Sequence, residues 1–564
     1  MSMQKRIFYL CHLFLVIHAP SLMARSPQEA MQLAQAFVQS DAYATKQVSH
    51  GLDAELEWVY THYTKDAQSP AVYVFNIKGS HGSILVSADN KAKSILAYTR
   101  EGRFDARDIP ENLRFWLDMY AHEIAYMQTT PEVTLVRRQD TNYTAIQPLL
   151  DSINWGQRQP FNRLCPLVNG ESTLTGCVAT ALSQIMYYYR HPERGRGSHS
   201  YISKTHKIAL EADFEDVVFD WDAMLADYHA GYTDVQADAV AQLLYYIGVA
   251  VDMDYSTAYS AAYSIDGVVA LHDYFDYDKS VRVLHKDWLT ETDMLRYMAE
   301  DLQAGHPILM RGSSETSGHA FLCDGIDERG YLHINWGWTG RYEGYFALSA
   351  LDYESQDGHV SSGEYAYTND VTAYVGIRPN EGGEAIPYLT ADSLLRTTDD
   401  PFYLGSPLTI KMVNFSNKGL YTTTGMVVCR IYDANGLLLH SIDNSSYTNN
   451  VFELKEGYYY GEYKLRFKTT GLALADGNYI LEIAAIDADG NYIPIVSKGK
   501  SNQQMPIYVE GGRIVFETWK NPNTSFEYMQ IDEPKNKKVI HRGQLFIQRG
   551  GKMYNTMGQE VSHQ

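Results

Sequence analysis

The chain has 564 residues, 45% hydrophobic and 20% charged, which fits three or four globular domains and excludes a disordered chain. Its formal net charge of −21 argues against a nucleic-acid partner, because phosphate binding needs clustered Lys and Arg. Of the five cysteines Cys11 lies near the N-terminus, and the other four are too scattered for a disulfide framework and show no CxxC metal spacing; no metal and no cofactor are expected.

Lys5 and Arg6 precede an apolar run over 7–17 that is too short to span a membrane, and Ala24 offers a small residue for cleavage. Residues 1–24 therefore read as a signal peptide. Cys11 lies inside that run rather than at its end, which argues against a lipid anchor. No later stretch is apolar for long enough to make a transmembrane span, so the protein is expected to be secreted or on the cell surface.

Ser26-Pro27-Gln28-Glu29 is a capping box with Pro at the first helical position, and Ala30, Leu33, Ala34, Phe37 and Val38 follow at helical spacing. Residues 72–77 and 83–87 read as strands. Residues 110–125 read as a helix with Leu113, Trp116, Leu117 and Tyr120 on one face. These elements form an α+β unit over 25–139, with Arg137-Arg138 near its end as a processing site.

Residues 140–380 alternate less regularly. The segments 177–190, 239–248 and 291–304 read as helices, the first with an apolar stripe of Val178, Ala181, Leu182, Ile185 and Met186. Short strands follow at 307–310, 319–323, 331–335 and 344–348, separated by Gly turns. Helices first and antiparallel strands later indicate an α+β domain. Over 385–510 the pattern becomes alternating strands, with Asn435-Gly436 and Asp489-Gly490 as hairpin turns, which reads as an immunoglobulin-like β-sandwich. Asp487, Asp489 and Asn491 lack the Gly and Glu spacing of a calcium loop and are read as part of the hairpin. Residues 511–564 form a further tail.

The chemistry concentrates in the middle region. In Gly176-Cys177-Val178-Ala179-Thr180-Ala181 the cysteine opens an amphipathic helix. A helix N-terminus presents free N–H groups and partial positive charge, both of which favour a thiolate and lower its pKa. A structural core cysteine is the competing reading of this segment alone. A thiol nucleophile needs an imidazole base held by a third group. His319 starts one strand and Asn335 ends the next, in Asn335-Trp336-Gly337-Trp338, so a hairpin would bring Asn335 to His319 and let Trp336 shield the bond. His333 is read as a structural histidine. Gln157, upstream of the cysteine, is the candidate second oxyanion donor, with Gln159 as its competitor.

These segments resemble the streptopain family of papain-like cysteine peptidases. The similarity covers Gln157 to Asn162, Gly176 to Ala181, Gly318 to Phe321 and Asn335 to Trp338, together with the run Val251 to Tyr255 and the closing Val375 to Pro379, in family order. The resemblance implies a papain-like domain over 140–380 that hydrolyses peptide bonds of proteins. It implies Cys177 and His319 as the catalytic pair, Asn335 and Trp336 orienting the histidine, and Gln157 in the oxyanion hole. Ser260, Ala261 and Gly318 would be substrate-binding residues. The region before 140 resembles the family's inhibitory pro-domain, which displaces the catalytic histidine until it is removed. The chain departs from the family in the loop 256–264, which carries Tyr259 and Tyr263 where the family has a Gly/Ser-rich sequence. The tail resembles part of a type IX secretion sorting domain. The rival reading is a degenerate peptidase fold serving as an adhesin, to which a complete Cys, His, Asn and Gln set would be superfluous.

Overall fold

The structure is a computed structural model. It describes residues 24–40, 43, 55–65, 69–78, 82–129, 135–137, 142–313, 318–351, 353–355, 370–392, 396–397, 402–443, 451–497 and 503–516, and four short strands between 537 and 561. Residues 1–23, Arg138 and most residues after 516 lie outside the described residues. The chain divides into two units. The first runs to Ile109 and adds Trp116–Val133 and Ser349–Tyr353; the second holds Pro110–Phe115, Thr134–Leu348 and the chain from Glu354 onward.

In the first unit, helix α1 (Pro27–Val38) starts as its sequence dictates. Ser26 accepts from the Glu29 N–H, and the Glu29 carboxylate accepts from the Ser26 N–H. Strands Leu56–Tyr63, Pro70–Ile77, Ser83–Ser87 and Ile95–Thr99 pair antiparallel in that order. Strand Pro70–Ile77 is buried along nearly its whole length, which matches its continuous apolar composition. Helix α2 (Glu111–Thr129) contributes Trp116, Leu117 and Tyr120 to the buried residues of this unit. The first turn of α2 belongs to the second unit.

The second unit contains an antiparallel sheet whose strands run, side by side, Gly344–Phe346, Leu332–Asn335, Gly318–Ile326, Ile308–Ser313, Asp370–Val375 and Arg282–His285. Helices α3 (Cys177–Tyr189), α4 (Asp234–Ala250), α5 (Ser264–Phe275) and α6 (Glu291–Gln303) accompany it. The stripe of α3 packs in a continuous core with α4, α5 and residues Ala320 and Leu322 of the sheet. Helix α5 was hidden in the sequence by Gly267. A Cβ there would sit 2.8 Å from Leu182 Cδ1 and 3.0 Å from Val178 Cγ1, so the glycine is what lets α5 lie against α3. This mixed architecture agrees with the expected α+β class.

Beyond residue 388 strands dominate. The 433–437 and 487–491 turns close antiparallel hairpins, as the Asn-Gly and Asp-Gly pairs indicated. The Asp487 carboxylate accepts from the N–H groups of Asp489 and Asn491 and from the Asn491 side chain, so it serves the turn. One apolar core joins Leu408, Ile410 and Met412 with Val427, Cys429, Leu481, Ile483 and Ile507. The four strands after residue 536 form an antiparallel meander.

Candidate active site

Two walls make the site. The first is the approach to α3. Gly176 has φ +86°, and a Cβ on it would lie 2.5 Å from Met253 Sδ and 3.2 Å from the Ser260 carbonyl oxygen. Only glycine supplies that conformation and that clearance together. Thr180 donates its hydroxyl to the Gly176 carbonyl (3.0 Å), which leaves Thr175 to donate to Thr180 (2.9 Å). The Thr175 N–H donates to the Gln157 carbonyl (3.3 Å), so Gln157 runs beside the segment that delivers the cysteine. Its side-chain amide carries no hydrogen bond among the described residues. Cys177 is the first residue of α3, with no side-chain cap competing for the free N–H groups.

The second wall is strand Gly318–Ile326. Its register on strand Ile308–Ser313 sets His319 opposite Gly312. The Ala320 N–H donates to Cys177 Sγ at 3.4 Å, so the thiol lies against the residue following His319. His319 is buried. Its Nε2 makes no hydrogen bond, and the nearest charge is the Glu111 carboxylate at 3.7 Å. The Tyr259 ring meets the imidazole edge-on, with centroids 5.8 Å apart and planes at 84°. Burial holds the imidazole below its ordinary pKa, against an opposing pull from Glu111.

Burial also pushes the Cys177 thiol above its ordinary range. The N–H groups of Ala320, Val178 and Cys177 itself pull the other way, and Glu111 adds to the rise. The helix N-terminus was expected to lower this pKa. Here desolvation outweighs it and favours the neutral thiol, as burial favours the neutral imidazole.

Asn335 does not hydrogen-bond to His319. It pairs in the ladder with Leu322, three residues past the histidine. Its amide donates to the Ile153 carbonyl (3.1 Å) and to Gln184 Oε1 (3.2 Å), and accepts from the Gly337 N–H (2.9 Å) and Gln184 Nε2 (3.4 Å). Trp336 packs on Phe321 and donates its indole N–H to the Tyr342 carbonyl (3.0 Å). His333 pairs with buried Asp324 (2.6 Å), a structural contact as read. Ser260 is buried; its hydroxyl donates to the Leu174 carbonyl and accepts from the Ser256 N–H. Ala261 exchanges backbone hydrogen bonds with Asp254. Both therefore shape the loop 256–261 by their own internal bonds. The Gly318 carbonyl accepts the Tyr259 hydroxyl.

Three residues at the site had not been singled out from sequence as site residues. Gln184, fully buried, sits two turns after Cys177 on α3 and pairs with Asn335. A lone amide on an apolar helix was its available signal. Glu111 and Asn112, at the start of α2, reach His319 and the Trp336 carbonyl respectively, the latter by an amide bond of 2.9 Å. Among the described residues no group of three His, Cys, Asp or Glu side chains is placed to hold a metal.

The profile of the peptidase C10 family matches residues 155–346, and that of the Spi protease inhibitor matches residues 23–124. The chain is 30% identical over 435 residues to the thiol protease/hemagglutinin PrtT of Porphyromonas gingivalis; the match covers 73% of this chain but only 49% of PrtT, about half its length. It is 29% identical over 381 residues to streptopain of Streptococcus pyogenes, covering 64% of this chain and 94% of streptopain. Among solved structures it is similar to a prointerpain A fragment of Prevotella intermedia (27% identity, 57% of this chain and 98% of that one, TM-score 0.48). It is also similar to active interpain A of the same organism (30%, 42% and 98%, TM-score 0.36). The chain belongs to the peptidase C10 family, the cysteine peptidases that include streptopain.

Proposed function

We propose that the chain is the latent precursor of a secreted cysteine endopeptidase in which Cys177 is the nucleophile and His319 the general base. The observation that carries this reading is the Cys177 sulfur at the start of α3, within hydrogen-bond reach of the residue next to His319. In the working state the imidazole takes the thiol proton. The thiolate attacks the scissile carbonyl carbon, a C–S bond forms, and the carbonyl electron pair moves onto oxygen. The Cys177 N–H and the Gln157 amide hold that oxyanion. His319 gives its proton to the leaving amine as the C–N bond breaks. It then takes a proton from water, which attacks the acyl carbon and releases the thiolate. Asn335 orients the imidazole, and Trp336 shelters it.

The first turn of α2 supports latency. Glu111 faces His319, Asn112 bonds the carbonyl of Trp336, and the Phe115 ring packs over Gly312, the residue opposite His319. With His319 facing Glu111 and making no hydrogen bond to Asn335, the catalytic pair is unformed. Removal of residues 25–139, by cleavage near Arg137-Arg138, would free the histidine. The signal peptide over 1–24 and the immunoglobulin-like character of residues 385–510 belong to the same reading, as does a sorting role for 511–564. Among the described residues no helix is long and apolar enough to cross a membrane.

The test is casein cleavage by the processed protein, with active-site titration by an irreversible thiol-directed inhibitor. Labelling of Cys177 in proportion to lost activity is expected. Absence of both cleavage and labelling after removal of the pro-segment would refute the enzyme reading and favour an adhesin. N-terminal sequencing of the secreted form fixes the boundary.

A further inference from the structure

We propose that Tyr259 is a gate across the cleft, latched on the Gly318 carbonyl, and that a peptide must displace its hydroxyl to bind. The inference rests on the peptidase reading above. Its basis is the way loop 256–261 is fastened. At its base it belongs to the cysteine wall: the Leu174 N–H donates to the Ser256 carbonyl (3.0 Å), and Ser260 donates to the Leu174 carbonyl (2.8 Å). The Asp254–Ala261 bridge closes the loop, and the Asp254 carboxylate is pinned by the Thr205 N–H (2.8 Å) and hydroxyl (2.6 Å). At its tip it reaches the histidine wall, where Tyr259 donates to Gly318 and its ring abuts His319. A loop fastened on one wall thus reaches the other through Tyr259, whose hydroxyl and ring both bear on it.

An extended peptide whose carbonyl sits over Cys177 must lie between these two walls. It therefore competes with Tyr259 for the space and, through a backbone N–H, for the Gly318 carbonyl. Burial pushes the Tyr259 hydroxyl up to about 12, so it remains a donor throughout the neutral range. Tyr259 is still 39% exposed, which leaves its ring room to swing outward. The ring has a second role, because it covers one edge of the imidazole and contributes to its desolvation.

The experiment uses the processed enzyme, with wild type, Tyr259→Phe and Tyr259→Ala compared on a fluorogenic peptide over a pH series. Tyr259→Phe removes the latch and keeps the ring; KM should fall about three- to tenfold, the range of one neutral hydrogen bond, and the gain should not come from kcat. Tyr259→Ala should lower KM similarly but also lower kcat severalfold, and should move the acid limb of kcat upward in pH as His319 becomes hydrated. The phenylalanine variant should leave that limb in place. If the wild type is active and KM of Tyr259→Phe stays within twofold, the gate does not exist. Equal losses of kcat in both variants would overturn it as well, since the hydroxyl would then serve the reaction itself. An inactive wild type would instead refute the peptidase reading.

Discussion

The cysteine wall and the histidine wall are built by different means. Cys177 is placed by the start of an apolar helix, two neighbouring threonine hydroxyls, and Gly176 fitted against Met253 and Ser260, all of them outside residues 25–139. His319 is placed by the register of a long-range ladder, and its surroundings are completed by Glu111 from more than two hundred residues upstream. A wall whose contacts all lie outside residues 25–139 can be finished before activation. A wall that takes a partner from the pro-segment can be held in a resting state and released, so the proposed latency would act on the histidine side.

The largest expected effects test the two walls directly. Cys177→Ala and His319→Ala should each lower kcat/KM on casein by about 10⁴-fold or more, with thermal melting unchanged. The cysteine variant, purified, should not process itself. Self-cleavage by it would move the nucleophile elsewhere. Gly176→Ala should follow. Its methyl group would be driven into Met253 and the Ser260 carbonyl from a left-handed backbone, at about 1–3 kcal/mol of stability. The displaced sulfur should cost about a hundredfold in kcat/KM. Denaturant unfolding and kinetics on one preparation check both, and a fully active, equally stable variant would show that the Gly176 contacts do not fix the wall.

The histidine wall should respond less to any single change, because its orientation is shared. Asn335→Ala in the processed enzyme should lower kcat about tenfold, well short of His319→Ala, since packing still positions the ring. Gln184→Ala should cost less again, about threefold, because it acts only through the Asn335 amide. The diagnostic is the double variant. If Gln184 works through Asn335, adding its substitution to Asn335→Ala should change nothing further. Additive losses would assign Gln184 a purely structural role in α3.

This contrast also explains what the sequence made legible. The capping box at Ser26, the α3 stripe, the Asn435-Gly436 and Asp489-Gly490 turns, and the places of Cys177 at a helix start and His319 at a strand start all rest on local signals, and these elements stand in the structure as read. Helix α5 was missed because Gly267, which breaks its pattern, is demanded by contact with α3 rather than by its own segment. The expected Asn335–His319 bond was drawn from hairpin logic alone. A ladder that sets Asn335 against Leu322, and a buried glutamine seven residues after Cys177, are tertiary facts. The direction of the thiol pKa likewise depended on enclosure, which no motif encodes.

The smallest effect separates charge from burial at the thiol. Burial is the larger cause of the raised Cys177 pKa, and Glu111 adds to it; the Glu111 side chain is about half exposed, so solvent screens much of its field. Glu111→Gln in the intact precursor should therefore speed iodoacetamide labelling of Cys177 at pH 8 by less than about threefold, through a slightly larger thiolate fraction. Removing the pro-segment relieves burial and brings the imidazole into play. The labelling profile should then shift to lower pH, because the thiol pKa falls towards its usual range or below while that of His319 rises. Rates followed from pH 5 to 10 on precursor, variant and processed enzyme decide the matter. If Glu111→Gln alone reproduced the processed profile, the resting state would be a matter of one charge, and the histidine wall would be held electrostatically rather than by enclosure.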